Sequence, residues 1–505
     1  MTVMLWMLFG AWGTVFLIYG RGVSYPFVYD DHWTILKNPA IQTIYPLARF
    51  FLDKETVALP ASGMGRTIYR PLPSLTFAMD RALGLSAKRM RVENYLLHGL
   101  NGFLVFVWLG ILGFSGPASA VGSAFFLFHP AEVESTLWIT QRSNLMVSTG
   151  ILCALLAFAF SPRRRPIMGI MAFGAALLCK ETALLFPILW TAQEWSLRRK
   201  NAAVKNEKIK HFAVACLAVT LGYLILRHLV VGTPIQRTYR GGGMIGSLLL
   251  GTVSWWEYLK ILIWPVSLRV SYWQYVDDPF RSVWPWIGLL TACAYGTATI
   301  LIARSDRRAA FFLAWIPVTL ALVLGIFPTD TFVAERFLYV PLIGVAGIVA
   351  WTWDQSRSWT RGTFARSGIF IALGLLCLLT WRQSGVWKDE LTLWTNATQR
   401  DPRNGFARLC QAQSHQDLGR QEDAVKEYLE ALRIGLTRTQ AAGALCNLSR
   451  LQLEKGNPSE ALAWSEKALL AAPGSPPALF NKEQALRQLG RFSEADDTRR
   501  RVLEH

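Results

Sequence analysis

Long apolar segments separated by short polar connections occupy the chain from its first residue to about residue 382. A helix needs about 20 predominantly apolar residues to cross the hydrocarbon core of a bilayer. The pattern therefore predicts an all-α, polytopic membrane domain with about 11 crossings. We place the crossings at residues 1–20, 92–114, 118–135, 143–160, 166–180, 182–197, 211–231, 283–303, 309–327, 337–354 and 367–382.

Two longer stretches interrupt this pattern and are predicted as loops on the extracytoplasmic side, at residues 21–91 and 232–282. The second contains an apolar run from Leu248 to Pro265 that is long enough to cross. The basic connections before residue 211 and after residue 303 are both predicted to lie in the cytoplasm, and the two crossings between them already return the chain to that side. Because one more crossing would put the second connection outside, we predict an interfacial or re-entrant helix here. The first apolar segment lacks a basic start and a cleavage site, which indicates a retained span and not a removed signal peptide.

The formal net charge of +18 comes largely from basic residues in the connections between apolar segments. Basic residues concentrate in the cytoplasmic connections of membrane proteins, so this distribution places the N-terminus in the cytoplasm. It also argues against nucleic-acid binding, for which no motif is present. The basic connections contain Arg163–Arg165, the stretch from Arg198 to Lys210, Arg304, Arg307 and Arg308, and Arg357, Arg361 and Arg366.

After Trp381 the sequence changes to a soluble helical pattern with an internal repeat. A glycine next to a polar residue recurs at Gly419, Gly456 and Gly490, at intervals of 37 and 34 residues, with alanines behind it each time. Helical hairpins of the tetratricopeptide type repeat every 34 residues or so. We therefore predict a membrane domain over residues 1–382 and an extracytoplasmic tetratricopeptide repeat domain over residues 383–505, whose groove binds a protein partner.

The seven cysteines show no metal-ligand or Cys-x-x-Cys spacing. Five of them lie in apolar segments, where they are expected as small buried residues. Cys410 and Cys446 lie in the repeat region and could form a disulfide if that region is extracytoplasmic. The sequence leaves their pairing open.

The first candidate for chemistry is the acidic pair Asp30-Asp31, just beyond the first apolar segment. A carboxylate beside a membrane cavity can act as general base on a hydroxyl when burial and neighbouring charges tune its pKa. Adjacent residues of a turn point in different directions, so one aspartate is predicted to be catalytic and the other structural. We take Asp31, or else Asp30, as the base. The alternative is a solvated turn held by side-chain bonds to the backbone.

A second polar island contains His129, Glu134 and Arg142. Ionisable residues are costly at membrane depth, so such islands indicate functional sites. If residues 131–142 form one helix, Glu134 and Arg142 lie near one face of it. Arg142 would then bind a phosphate group while Glu134 orients it. The alternative is that these side chains reach the aqueous interface and bind nothing.

Further islands carry the remaining candidate ligands of an anionic donor. Arg336 and Tyr339 are three residues apart and would share a helix face. The predicted topology puts all these islands on the extracytoplasmic side together with the aspartates. Simple local ion pairing is the alternative for Lys180-Glu181. The members of these islands are Arg70, Lys180, Glu181, Glu335, Arg336 and Tyr339.

In their order and spacing, these motifs resemble the transmembrane and tetratricopeptide repeat protein O-mannosyltransferases and their bacterial relatives, which have the C-type membrane glycosyltransferase fold. This chain differs in having about three full repeats, and Glu132 where the family has a second histidine after His-Pro. The resemblance is carried by Phe27 to Asp31, Asn38-Pro39, Tyr69 to Leu72, His129-Pro130 with Glu134 and Arg142, Lys180-Glu181, Leu259 to Pro265, Glu335-Arg336, Tyr339 to Pro341, and Trp387 to Glu390.

The resemblance implies a glycosyltransferase that moves a sugar, with inversion, from a polyprenyl-phosphate donor to a hydroxyl of an extracytoplasmic acceptor. It also implies that the acceptor is a protein Ser or Thr, that an acidic residue of the first outer loop is the base, and that Arg70, Arg142, Lys180 and Arg336 bind the donor phosphate. A bacterial inner membrane is favoured over the endoplasmic reticulum. No cofactor is identified, and a divalent metal stays an open alternative.

Two other functions stay open. A non-catalytic membrane scaffold or receptor would recruit partners through the repeats and would tolerate neutral substitution of the aspartates. A flippase or polymerase of lipid-linked sugars would need ionisable groups in both leaflets, whereas the candidates lie on one side. A nucleotide-dependent cytoplasmic enzyme has no support, because the sequence contains no Gly-rich phosphate loop, HExxH helix or GxSxG elbow.

Overall fold

The computed structural model describes residues 2–58, 68–160, 166–197, 206–232, 239–272, 276, 278–329, 331–356 and 362–503. Within these ranges the protein consists of helices, short helical turns and loops, and no strand is formed. The prediction of an all-α fold is confirmed. Several of the basic connections invoked for the topology, including residues 163–165, 198–205, Arg357 and Arg361, lie outside the described residues.

The chain divides into two compact units, of which the first comprises Met1–Leu268 and Gln274–Asp389. Its helices begin and end where apolar runs meet glycines, prolines and capping side chains. Ser115, for example, caps the N-terminus of one helix by accepting the backbone N–H of Ala118. The α-helices of this unit are Thr2–Tyr19, Arg49–Leu52, Pro71–Ala82, Ala87–Ile111, Gly116–Phe128, Glu132–Leu137, Arg142–Phe160, Pro166–Cys179, Phe186–Leu197, Asn206–Val231, Met244–Ile263, Trp284–Ser305, Arg307–Leu320, Tyr339–Gln355 and Gly362–Ser384.

Seven helical stretches of the described chain are long and apolar enough to cross a membrane, and two shorter apolar helices accompany them. They identify the chain as an integral membrane protein. The count of 11 crossings and the sidedness stay predictions. Within the predicted second outer loop, a helix forms over Met244–Ile263. The seven stretches are Met4–Gly22, Ala87–Ile111, Ile139–Ala159, Phe212–Val231, Trp284–Ser305, Glu335–Gln355 and Gly362–Trp387.

The second unit contains three consecutive helical hairpins after one preceding helix. The predicted glycines Gly419, Gly456 and Gly490 lie in the turn inside each hairpin with φ of 73°, 77° and 76°. This left-handed conformation carries little penalty for glycine and is unfavourable for other residues, which explains the repeat signal. The helices are Glu390–Arg400, then Gly405–Asp417 with Gln421–Ile434, Arg438–Glu454 with Pro458–Ala471, and Pro476–Gln488 with Phe492–Leu503.

A short segment of the predicted second outer loop belongs to this repeat unit. The side-chain amide of Asn404 donates to the hydroxyl oxygen of Ser271 at 3.1 Å and to its carbonyl oxygen at 3.3 Å. Arg269 lies 3.9 Å from the Asp401 carboxylate. The cysteines of this unit, Cys410 and Cys446, are buried free thiols, so the structure does not contain the disulfide that the sequence left open.

The turn glycines provide a test of the repeat architecture. Gly456→Ala places a Cβ on a residue with φ of 77°, so we expect the second hairpin to lose about 1 kcal/mol of stability. Hydrogen exchange of residues 438–471 in the full chain measures this loss. Gly443 is the matched control, because it lies exposed in a helix with open space around it, and Gly443→Ala should be neutral or slightly protective. Equal effects of the two substitutions would contradict this account of the turn.

Candidate active site

The loop that follows the first helix is held by a buried arginine. Arg91 is 1% exposed, and its guanidinium donates to the carbonyl oxygens of Tyr25 at 2.6 Å, Pro26 at 2.9 Å and Leu137 at 2.9 Å. These bonds fix the chain just before it reaches Asp30. The sequence analysis had counted Arg91 as the end of the loop. The sequence carries no distinguishing signal for it, because Lys88, Arg89 and Glu93 surround it in the same helix.

The two adjacent aspartates have different environments, as the sequence predicted for a turn. Tyr29 has a φ of 53°, an unusual conformation for a residue other than glycine, and the chain turns sharply at this point. Asp31 is fully buried, and its two carboxylate oxygens accept the backbone N–H groups of Val28 at 3.2 Å and Thr140 at 3.0 Å. Asp30 is only partly buried. Both carboxylate oxygens of Asp31 are therefore occupied by backbone hydrogen bonds, whereas Asp30 is partly exposed to solvent.

Electrostatics distinguishes the two carboxyls as well. Burial raises the pKa of Asp30 to about 6, opposed by Arg336 and reinforced by Glu134. Burial also raises the pKa of Asp31 to about 7, and this rise is opposed by the two backbone donors and by Arg91. At neutral pH the Asp30 carboxylate is ionised and positioned to accept a proton.

Arg336 and Glu134 form a buried ion pair next to Asp30. The Glu134 side chain is completely buried, with one oxygen 2.6 Å from Nη1 of Arg336 and the other accepting the Arg336 backbone N–H at 2.8 Å. The Trp138 ring lies 5.5 Å below the Arg336 guanidinium and 5.1 Å from the Tyr29 ring, centroid to centroid. Trp138 was missed by the sequence analysis, because an aromatic side chain in an apolar region carries no distinguishing signal.

Two further charged residues of the site, Lys180 and Glu181, lie at the junction between two short helices, and Arg70 directly precedes the helix Pro71–Ala82. Lys180 is 5% exposed and donates to the side-chain oxygen of Asn144. Arg70 lies 3.1 Å from the carboxylate of Glu181, and both side chains are partly exposed. Lys180 lies within electrostatic range of both of these residues.

Six predicted site residues are therefore brought together by the structure. Lys180 interacts electrostatically with Arg336 and Glu134 as well as with Arg70 and Glu181, and Asp30 interacts with Arg336 and Glu134. The group contains three basic and three acidic side chains from segments that are far apart in sequence. It comprises Asp30, Arg70, Glu134, Lys180, Glu181 and Arg336.

A small cavity of about 20 Å³ lies beside this group. Lys180, Arg336 and Asn144 line it together with Thr182 and Thr319. The rest of the lining is apolar and comes from Leu322, Val323, Phe337 and Val340. The lining thus combines two basic side chains with apolar ones, a composition that suits an anionic group attached to an apolar chain.

Arg142 lies elsewhere. A continuous helix over residues 131–142 does not form, because the helix ends at Leu137, Trp138 is extended and a 3₁₀ turn follows before Arg142. The guanidinium of Arg142 is 2.6 Å from Asp80 and 3.0 Å from Glu93. Glu134 therefore orients Arg336 and not Arg142, and the Arg142 charge is balanced within its own buried cluster.

Two other predicted site residues, His129 and Tyr339, make hydrogen bonds to residues outside the cluster, and Glu335 is buried directly before Arg336. His129 is buried, its ring accepts the backbone N–H of Ala131, and burial lowers its pKa to about 4, so it is neutral. The Tyr339 hydroxyl lies 2.8 Å from the imidazole of His98 and accepts from Asn101 at 3.1 Å. Glu335 is 1% exposed in the 3₁₀ turn before the Tyr339 helix.

Metal binding has no support in the geometry of the described residues. Within those ranges no group of three or more His, Cys, Asp or Glu side chains is arranged to hold a metal ion. The chemistry that the site can perform with its own groups is proton transfer at Asp30 and anion binding at Lys180 and Arg336.

Comparison with known proteins adds a second line of evidence. A family model described as tetratricopeptide repeat matches residues 442–475, which cover most of the second hairpin and the connection to the third. Along most of its length the chain is similar to proteins named as protein O-mannosyl-transferases. One from Caenorhabditis elegans is 24% identical over 428 residues, which cover 81% of this chain and 60% of the relative. TMTC3 of Homo sapiens is 23% identical over 522 residues, covering 94% of this chain and 56% of that protein.

The chain thus spans somewhat more than half the length of these relatives. TMTC1 of Homo sapiens gives the same result, with 24% identity over 501 residues that cover 87% of this chain and 56% of the relative. These matches confirm the resemblance carried by the sequence motifs: over most of its length, the chain is similar to proteins named as protein O-mannosyl-transferases, and its C-terminal part contains a tetratricopeptide repeat.

Proposed function

We propose that the protein is a membrane glycosyltransferase that transfers a sugar from a polyprenyl-phosphate donor to a hydroxyl of a protein acceptor. The observation that carries the proposal is the electrostatic interaction of the partly exposed Asp30 with Arg336, which lines a cavity together with Lys180 and apolar side chains. A base, an anion site and an apolar groove are the three elements that such a transfer needs. The names of the relatives support mannose as the sugar and a protein as the acceptor.

Asp30 is the better candidate for the base, although the sequence analysis put Asp31 first. A general base must reach the proton that it removes and must offer a free lone pair. Asp31 is fully buried and both of its oxygens already accept backbone N–H groups. Asp30 is partly exposed, and its pKa of about 6 leaves it ionised at neutral pH. Asp31 then acts as a structural anchor of the turn.

The reaction follows from this arrangement. Asp30 accepts the proton of the acceptor hydroxyl while the hydroxyl oxygen attacks the anomeric carbon from the side opposite the phosphate. The bond between the anomeric carbon and the phosphate oxygen breaks with inversion, and the polyprenyl phosphate leaves with the bonding electron pair. Lys180 and Arg336 stabilise the charge that develops on the leaving phosphate, so a separate general acid is not required.

The other parts of the chain complete the proposal. The apolar wall that includes Leu322 and Val323 would accept the first isoprene units of the donor. The repeat unit would bind the acceptor, because stacked helical hairpins form a concave surface for extended peptides. We place the site and the repeats on the extracytoplasmic side of the membrane, on the strength of the basic connections in the sequence.

The two aspartates give the most direct test of this proposal. Asp30→Asn removes the base, so transfer should fall about 10²- to 10⁴-fold while the apparent unfolding temperature is unchanged. The assay incubates purified protein with a prenyl-phosphate mannose and a Ser/Thr peptide and measures donor consumption.

Asp31→Asn is the matched control, and the account predicts the opposite pattern. An amide NH₂ would face the backbone N–H of Val28 or Thr140, so the variant should lose about 1–3 kcal/mol of stability. The folded fraction should keep measurable activity. Full activity of Asp30→Asn would eliminate Asp30 as the base, and full activity of both variants would end the assignment of the base to this acidic pair. A wild-type protein that consumes no donor would favour a scaffold or receptor over an enzyme.

The pH dependence provides an independent test. Asp30 acts only when ionised, and burial raises its pKa to about 6, so kcat/KM should rise with pH through about 6. An unperturbed aspartate would give an acid limb near its ordinary value of about 4. We expect the limb near pH 6 when rates are measured with a donor whose phosphodiester does not titrate in this range. A profile that is flat from about pH 5 to 7 would contradict the assignment of the base.

A further inference from the structure

The three basic side chains of the site differ in how their charge is balanced. Arg336 has the carboxylate of Glu134 at 2.6 Å, and Arg70 has that of Glu181 at 3.1 Å. Lys180 makes no ion pair with any residue that the structure describes. Its closest polar partner is the neutral side-chain amide of Asn144, and its ammonium also lies 5.4 Å above the Phe337 ring. Lys180 is thus the cation of this cluster that lacks a carboxylate of its own.

The amide of Asn144 is fixed in one orientation. Its nitrogen donates to the Ser135 hydroxyl at 3.2 Å and to the side-chain oxygen of Gln141 at 3.1 Å. Its oxygen therefore faces Lys180, which has only donors to offer. Asn144 is 3% exposed and lines the same cavity as Lys180 and Arg336. A residue held by two bonds on one side and presenting an acceptor on the other is suited to aim a flexible lysine.

We propose that Asn144 is a positioning residue that directs Lys180 into the cavity without neutralising it, so that the anionic group of the donor supplies the counterion that Lys180 lacks. This inference rests on the proposed function, because it takes the phosphate of a lipid-linked sugar as the anion. A carboxylate at position 144 would hold the lysine equally well. It would also occupy the ammonium and repel the phosphate.

The arrangement makes donor binding depend on pH. Burial lowers the pKa of Lys180 well below its usual value, and Arg70 and Arg336 act in the same direction against Glu181 and Glu134. An anion bound next to Lys180 favours its charged form and raises the pKa again. At a pH between the pKa of Lys180 in the free protein and its higher pKa in the complex, donor binding is therefore accompanied by the uptake of a proton. Affinity is greatest at the acid end of that window and falls as the pH rises through it.

The experiment compares the full-length protein with its Asn144→Asp and Asn144→Ala variants. Binding of a short-chain prenyl-phosphate mannose is measured by calorimetry from about pH 6 to about pH 9.5. This donor is a phosphodiester with one charge that stays constant over that range, so any pH dependence belongs to the protein. Thermal unfolding checks that the variants are folded, and Gln141 can turn its own amide to accommodate a carboxylate at position 144.

The order of the two variants in donor affinity distinguishes a positioning role of Asn144 from a packing role. Asn144→Asp keeps the shape of the side chain and should weaken donor binding about tenfold or more, with the pH dependence lost because Lys180 is then charged throughout. Asn144→Ala removes the contact but adds no charge, so it should weaken binding less and keep the pH dependence. A merely structural role predicts the reverse order, with the isosteric variant closer to the wild type. That reverse order, or an unchanged pH profile in Asn144→Asp, would overturn the inference.

The outcome also distinguishes this inference from the proposed function. If the wild-type protein binds no prenyl-phosphate sugar and consumes none, the glycosyltransferase proposal itself fails. If the wild-type protein binds and turns over the donor with a pH-independent affinity, the donor site stands and the role given to Asn144 is wrong. Calorimetry in buffers of different ionisation enthalpy gives the proton count directly, and up to one proton taken up per donor is expected for the wild type.

Discussion

The ion pair of Arg336 with Glu134 is the interaction on which the rest of the site depends. Glu134 is completely buried, so its charge is sustained only because Arg336 meets both of its oxygens, one through Nη1 and one through the backbone N–H. The two residues are 202 positions apart and belong to different helical segments. Breaking a buried pair of this kind leaves an uncompensated charge, which typically costs about 3–5 kcal/mol. The pair therefore fixes Arg336 beside Asp30 and along the wall of the cavity.

The charged residues of the cluster fall into two groups, those that form ion pairs with one another and those that form none within the described residues. The Arg70 and Glu181 side chains balance each other, as do Arg336 and Glu134. What is left is a carboxylate, Asp30, and an ammonium, Lys180. A reaction that removes a proton at one point and releases a phosphate at another needs these two groups in this state. The arrangement also shows why the site tolerates ionisable side chains in apolar surroundings, since most of them have partners before any substrate arrives.

The sequence predicted those features of the structure that depend on residues close together in the chain. Apolar run lengths gave the helices, and the glycines at 419, 456 and 490 gave the repeats because each occupies a left-handed turn. The aspartate pair was predicted to divide its roles, and the two environments do differ. Partners that come from distant segments could not be predicted: helical periodicity suggested that Glu134 and Arg142 would face one another, whereas Arg142 is paired with Asp80 and Glu93. Periodicity defines the faces of one helix and is silent about which helices pack together. Asn144 was missed for the same reason, since one polar residue in an apolar helix acquires meaning only from the lysine opposite it.

The central claim is that the base Asp30 and the two cations Lys180 and Arg336 act on the same bound donor. An experimental structure of the full-length Asp30→Asn variant with a prenyl-phosphate mannose bound tests this most directly, because the variant binds the donor and cannot consume it. The account predicts the phosphate within hydrogen-bonding distance of Lys180 and Arg336, the first isoprene unit against Leu322 and Val323, and the anomeric carbon facing position 30. A phosphate bound instead at Arg142, or one bound at Lys180 with the sugar directed away from position 30, would contradict it.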